Sequence, residues 1–109
     1  MNFDEVRELV HRHSKEHLTE TNSHRMSLQQ ALVSPQEILV IARTVAGGRT
    51  MDNVLPVWLV GQEEMTDGYK IIMSKDGSKF GLASSGFPED KYLILVGWYG
   101  SLRSAFLNM

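Results

Sequence analysis

The segment YKIIMSKDGSKFGLASS, residues 69–85, constrains the fold of this chain more than any other because it has the pattern of a β-hairpin. A two-residue primed turn at Asp76-Gly77 would bring four apolar side chains to one face, with Ile71 opposite Leu82 and Met73 opposite Phe80. The opposite face would carry polar and small residues together with one isoleucine, namely Lys70, Ile72, Ser74, Lys79, Gly81 and Ala83. We therefore expect a hairpin that covers a core on one side and contacts water on the other.

Length and charge limit the classes of protein that the chain can belong to. Its 109 residues predict a single domain, residues 1–109, with one core and no room for separate cofactor and substrate domains. The 11 basic and 13 acidic residues give a formal net charge of -2, and the basic ones are scattered. A broad nucleic-acid or anionic-membrane footprint is therefore not expected.

The absence of cysteine excludes disulfides, thiolate metal sites and cysteine nucleophiles. The N-terminal sequence MNFDEVREL is acidic and amphipathic, whereas a signal peptide is basic and then apolar. No apolar run approaches the roughly 20 residues that span a bilayer. These features predict a soluble, cytoplasmic protein.

Three helices are predicted from capping signals. Asn2 followed by Glu5 has the form of a capping box and predicts a helix over residues 3–18. Ser34-Pro35-Gln36-Glu37 combines an N-cap serine, a proline at the first helical position and a glutamate at the third, and it predicts a helix over residues 35–46 that ends at Gly47-Gly48. Ser101 predicts a short C-terminal helix over residues 102–108.

Strand patterns occupy the second half of the chain, at residues 54–61, 69–74, 79–84 and 92–98. With the helices they predict an α+β domain whose antiparallel sheet has about four strands. The first and last strands are apolar on both faces, which does not suit the exposed edges of a meander. Either the strand order is rearranged, for example to 3-2-1-4, or helices or a second subunit cover these strands. Pro56 lacks a ladder donor and indicates an edge or a bulge.

His13, Glu16 and His17 match the pattern H-x-x-E-H, which on a helix places two imidazoles one turn apart beside a carboxylate. This set could bind zinc if a third ligand such as His24 joined it. A solvated or partner-facing helix end is the competing interpretation. A pH-dependent contact is a further alternative, because all four histidines lie in the first quarter of the chain.

A second candidate site lies at Gly48-Arg49, where glycine-rich backbone and a guanidinium could bind an anion. The competing interpretation is a helix C-cap followed by a connector, because phosphate sites normally lie at helix N-termini.

Aromatic residues define the candidate interface. Trp58 and Trp98 belong to the two doubly apolar strands and Tyr99 follows the second, and tryptophan and tyrosine are favoured at protein interfaces. Packing of these rings in the core between sheet and helix is the alternative.

No motif completes a catalytic constellation, and the sequence implies no cofactor. We therefore expect a small non-catalytic interaction protein, such as a bacterial inhibitor, immunity-type or regulatory factor, that binds a protein partner or forms a homodimer. The alternative is a small metal-dependent enzyme or ligand-binding domain that uses the H-x-x-E-H segment.

Overall fold

A computed structural model describes residues 1–63, 68–86 and 90–109. The described chain folds into a closed five-stranded β-barrel with helices packed on its outside. All neighbouring strands pair antiparallel except the first and last, which close the barrel in parallel. In chain order the elements are α1 Phe3–Ser14, α2 Leu28–Ala31, β1 Leu32–Ala46, β2 Arg49–Gln62, β3 Lys70–Ser74, β4 Phe80–Ser84, β5 Leu93–Gly100 and α3 Leu102–Leu107. The prediction of an open, four-stranded antiparallel sheet is therefore wrong.

The helix predicted over residues 35–46 is also wrong, because this segment is the long strand β1. Its register with β2 runs from Gln36 opposite Leu59 to Ala46 opposite Arg49. Gly47 and Gly48 have φ angles of 58° and 73° and form the turn of this hairpin, as a primed turn requires. The run of aliphatic and β-branched residues suits a strand, and pairing with β2 outweighs the helix-start signal.

Closure of the barrel depends on two parallel residue pairs, Val40 opposite Leu93 and Ile41 opposite Ile94. Closure buries an inner cluster centred on Val40, Val57, Ile72 and Ala83, with Ile38, Leu55, Leu93, Leu95 and Trp98 packed against it. Both Ile72 and Ala83 are fully buried. The expectation of a solvent-exposed second face on the β3–β4 hairpin is therefore wrong, since the barrel interior covers that face.

A larger core lies between the outside of the barrel and the helices. Strand residues such as Trp58, Met73 and Phe80 pack here against Val6 of α1 and Phe106 of α3. Among the described residues, no helix has both the length and the apolar composition needed to cross a bilayer.

Several local predictions are confirmed. Asn2 and Glu5 form the capping box of α1, and the Ser101 side chain accepts a hydrogen bond from the Ser104 backbone to cap α3. The strands predicted over 69–74, 79–84 and 92–98 match β3, β4 and β5 within two residues at each end, and 54–61 lies inside β2. Helix α1 is shorter than predicted, because it ends at Ser14 and not at residue 18.

The turn between β3 and β4 differs from the prediction although the register is as expected, with Ile71 opposite Leu82 and Met73 opposite Phe80. The Gly77 backbone N–H donates to the Ser74 carbonyl at 2.9 Å, so the tight turn lies one residue earlier than predicted. Asp76 accepts hydrogen bonds from the Ser78 backbone at 3.0 Å and from the hydroxyls of Ser78 and Ser74 at 2.7 and 2.8 Å. These bonds, led by the one from the Ser78 backbone, lower the pKa of Asp76 to about 2.

This turn predicts a pH-dependent contribution to stability. A folded-state pKa of about 2, below the ordinary value of 3.8, means that the stabilisation is fully present above about pH 4 and is lost as the pH falls towards 2. We expect the difference in melting temperature between wild type and Asp76→Asn to shrink over this window. Thermal unfolding at a series of pH values measures it, and a constant difference from pH 5 to pH 2 would contradict the assignment.

The Gly47-Gly48 turn gives a second prediction. A Cβ at Gly48 meets nothing within 4 Å, so the cost of Gly48→Ala comes only from the positive φ. We expect Gly48→Ala to lower the free energy of unfolding by about 1 kcal/mol. Gly47→Asn should be nearly neutral, because asparagine tolerates this conformation. Urea unfolding checks both variants, and an unchanged midpoint for Gly48→Ala would argue against the primed turn.

Candidate interaction surface

The distal part of the β1–β2 hairpin, residues 42–53, extends beyond the barrel, and we call it the arm. In the described chain, β5 pairs with β1 only up to Ile41, and β3 pairs with β2 only from Val57. The arm strands therefore pair only with each other. At about 3.4 Å per residue, the five residues after Ile41 reach roughly 17 Å. The molecule measures 44 × 31 × 21 Å, so such an extension is a large part of its length.

The arm exposes apolar side chains on both of its faces. Val45 is 74% exposed and Met51 is 58% exposed. Met51 is the register partner of Thr44, the neighbour of Val45, so the two apolar side chains point to opposite sides. An arm of this kind has no side that shields its apolar atoms from water.

A second exposed region, which we call the outer face, lies at the base of the arm and consists of Leu39, Val54 and Pro56. The register places Leu39 opposite Pro56, and Val54 opposite Ile41. Leu39 is 41% exposed and Val54 is 51% exposed, whereas Ile41 is buried. The outer face and the arm are therefore continuous.

Arg43 fixes the base of the arm to the segment before β5. Its Nε and Nη2 donate to the two carboxylate oxygens of Asp52 at 2.8 and 2.9 Å. Its Nη2 and Nη1 donate to Asp90 at 2.8 and 3.3 Å. The hydrogen bonds from Arg43 hold the pKa of Asp52 below its ordinary value, and the two carboxylates raise the pKa of Arg43. The guanidinium is therefore fully engaged within the chain.

The structure places the three aromatic candidates at different depths. Trp58 is 5% exposed and lies in the core under the helices, with the Lys75 ammonium 4.8 Å from its ring centroid. Trp98 is half-buried against the barrel interior, and the Lys79 ammonium lies 4.6 Å from its ring centroid. Tyr99 is half-buried against the helix-side core. Val45 and Met51 of the arm and Val54 of the outer face are the three most exposed large apolar residues in the described part of the chain.

The H-x-x-E-H residues do not converge. The His13 ring packs against Phe80 with centroids 5.2 Å apart, and the His17 ring pairs with Glu20. Glu16 is exposed, and His24 contacts Glu63 at 3.1 Å. Because α1 ends at Ser14, the helical spacing that would align the two imidazoles is lost. Across residues 1–63, 68–86 and 90–109, no group of three potential metal ligands comes together.

Glu20 connects the end of the histidine segment to the C-terminal helix. The Arg103 Nε donates to its carboxylate at 2.7 Å, and His17 contacts its other oxygen. The hydrogen bond from Arg103 lowers the pKa of Glu20, burial opposes this shift, and His17 lowers it further. His17 therefore belongs to a network that ties the segment after α1 to α3.

The anion-binding candidates Gly48 and Arg49 lie at the tip of the arm, not after a helix. Gly48 is the second residue of the turn, and Arg49 begins β2 opposite Ala46. Arg49 is exposed.

The exposed residues of the arm and outer face were not singled out by the sequence patterns. The signal that could have found them is Gly47-Gly48 between two apolar runs, which is also a hairpin pattern.

Comparison with protein-family models, curated proteins and solved structures finds no match for this chain. The function has to be inferred from the geometry alone.

The contacts of Arg43 predict how the arm moves. We expect Arg43→Gln to speed amide hydrogen exchange severalfold in residues 44–51, because the base of the arm loses its tie to Asp90. Exchange in β3 and β4 should change little. Hydrogen exchange followed by mass spectrometry measures both, with Arg49→Gln as the matched control on the same arm. Equal protection of the arm in wild type and Arg43→Gln would show that the tie is unimportant.

Proposed function

We propose that this protein is a non-catalytic interaction protein that binds other proteins through the arm and the outer face. The observation that carries the proposal is the exposure of Leu39, Val45, Met51 and Val54 on one continuous hairpin. Leu39, Val54 and Pro56 adjoin on one face at the base of the arm. Contiguous apolar surface marks interaction sites more often than isolated exposed side chains do.

The shape of the arm favours a protein partner over a small molecule. Small ligands are bound in concave sites, whereas the arm projects from the barrel. Its two strands pair only with each other in the described chain, so each offers a free backbone edge. A partner strand can add to such an edge through backbone hydrogen bonds.

The charge pattern supports the same proposal. Exposed strand edges in monomers are commonly protected by charged side chains, especially lysine. Between Thr44 and Met51 the only charged residue is Arg49. The arm is thus poorly protected against strand addition, as expected of an element that is covered by a partner.

A second copy of the chain is the partner that we propose. An edge strand is complementary to a copy of itself in antiparallel orientation, and a two-fold axis closes such a pair. The net charge of only -2 produces little repulsion between copies. The proposal places this homodimer in a bacterial cytoplasm, as an inhibitor, immunity-type or regulatory factor, with neither membrane nor nucleic acid as its target.

Sedimentation equilibrium tests the homodimer. We expect the wild type to dimerise in a concentration-dependent manner, and the double variant Leu39→Ser/Val54→Ser to dimerise at least tenfold more weakly, because it loses two interfacial aliphatic side chains. Both residues are exposed, so the thermal stability of the monomer should change little.

Leu107→Ser is the matched control, since Leu107 is 38% exposed on α3, away from the arm. It should dimerise like the wild type. A strictly monomeric wild type at high concentration would contradict the homodimer, and a dimer weakened only by Leu107→Ser would place the interface elsewhere.

A further inference from the structure

A groove of about 350 Å³ lies between α1 and the beginning of β1, and none of its described lining residues belongs to the arm or the outer face. One wall is a single face of α1 continued past its end, with Arg7, Val10, His11, Ser14 and Leu18. The other wall is the start of β1, residues 32–35. Its volume is at the small end of the about 300–1,000 Å³ that is typical of ligand sites, so it suits a small molecule.

A bulge in β1 opens the groove. Leu32 pairs with Gly61 and Gln36 pairs with Leu59, so β1 has three residues where β2 has one. Proline is tolerated at such a position because it has no N–H to donate to the ladder, and Pro35 lies here. The displaced backbone carries Val33, Ser34 and Pro35 into the groove wall.

Five residues that line the groove are aliphatic, namely Val10, Leu18, Leu32, Val33 and Pro35. None of the described residues that line it is Phe, Tyr or Trp. An aliphatic chain would therefore bury its methylenes against aliphatic side chains, whereas a planar base or ring would find only the His11 imidazole and the Arg7 guanidinium to stack on.

Two nitrogen-bearing side chains, those of Arg7 and His11, belong to the helix wall of the groove. Arg7 and His11 are four residues apart on α1, which places their Cβ atoms roughly 6 Å apart. Within the described residues, neither has a carboxylate at ion-pair distance. Arg7 contacts only the Phe3 ring face, at 5.7 Å, which leaves its N–H groups free to donate.

Two other cavities of the molecule differ in this respect. In the cavity beside Ser84 and Ser85, the guanidinium of Arg43 is already bonded to Asp52 and Asp90. In the cavity beside Pro56, the Lys75 ammonium is paired with Glu37. The α1–β1 groove therefore combines aliphatic lining residues with a cation that the described chain leaves without a counter-ion.

From this combination we infer that the groove binds a small aliphatic carboxylate. The planar guanidinium of Arg7 matches the two oxygens of a carboxylate, and one permanent charge suits a monoanion. The imidazole of His11 donates a further hydrogen bond to the same head group. The aliphatic tail lies on Val10, Leu32 and Val33.

Titration with hexanoate tests the inference. Hexan-1-ol is the control that has an aliphatic tail without a charge, and acetate is the control that has a carboxylate without a long tail. In methyl NMR titrations we expect saturable shifts for Val10, Leu18, Leu32 and Val33 with hexanoate. Binding of hexan-1-ol should be about tenfold weaker, because it lacks the charge-assisted bonds. Acetate should not saturate over the same concentrations.

Arg7→Gln should weaken hexanoate binding about tenfold and leave hexan-1-ol binding unchanged. Arg12→Gln is the matched control, because Arg12 is exposed on the same helix and does not line the groove. Val33→Trp should fill the groove and abolish binding of both ligands, with an amide spectrum that verifies the fold. The inference would be overturned if hexanoate and hexan-1-ol bound equally well, or if Arg7→Gln bound hexanoate as tightly as the wild type. It would also be overturned if no saturable shifts occurred, or if the shifts occurred at Leu39 and Val54 instead of the groove.

Discussion

The parallel contact between β1 and β5 is the constraint on which the rest of the structure depends. Among the described residues it consists of Val40 with Leu93 and Ile41 with Ile94, yet it converts a five-stranded sheet into a closed barrel. Closure removes the two sheet edges that would otherwise be open. It also creates the inner cluster around Val40, Val57 and Ile72, so the sheet has a core on each of its faces. β2 contributes Val57 to the inner cluster and Trp58 and Val60 to the helix-side core, so this apolar part of the strand is covered on both faces.

The short contact between β1 and β5 also explains why the distal parts of β1 and β2 are exposed. In the described chain, pairing with β5 stops at Ile41 and pairing with β3 begins at Val57. The β1–β2 hairpin is therefore longer than the part of the barrel wall that it forms, and its distal half extends beyond the barrel. Arg43 then acts at the boundary, where it joins Asp52 of the arm to Asp90 before β5. The buried and the exposed parts of one hairpin thus meet at a partly exposed charge network, in which the side chains of Arg43 and Asp52 are 22% and 39% exposed.

Local signals in the sequence predicted the elements that depend on contacts between residues close together in the chain. The capping residues Asn2 and Ser101 and the pairing of Ile71 with Leu82 follow from short spacings along the chain. The wrong helix prediction at residues 35–46 has a physical cause, since Ser34-Pro35-Glu37 is a good helix start, and the competing interaction is pairing with β2 residues up to 23 positions away and with β5 residues 53 positions away. With β1 missing from the prediction, the doubly apolar strands had no neighbour to cover them, and neither the barrel nor the arm could be foreseen. The groove was equally hidden, because it depends on the bulge at Val33 to Pro35.

The independence of the arm from the barrel has a consequence for how such a molecule can vary. In the described chain, residues 42–53 pair only with each other, so the length of the hairpin is not coupled to the number or tilt of the strands that close the barrel. Adding two residues to each side of Gly47-Gly48 would keep every side chain on its present face and lengthen the reach by roughly 7 Å. Reach and barrel packing can therefore change separately, in evolution or by design.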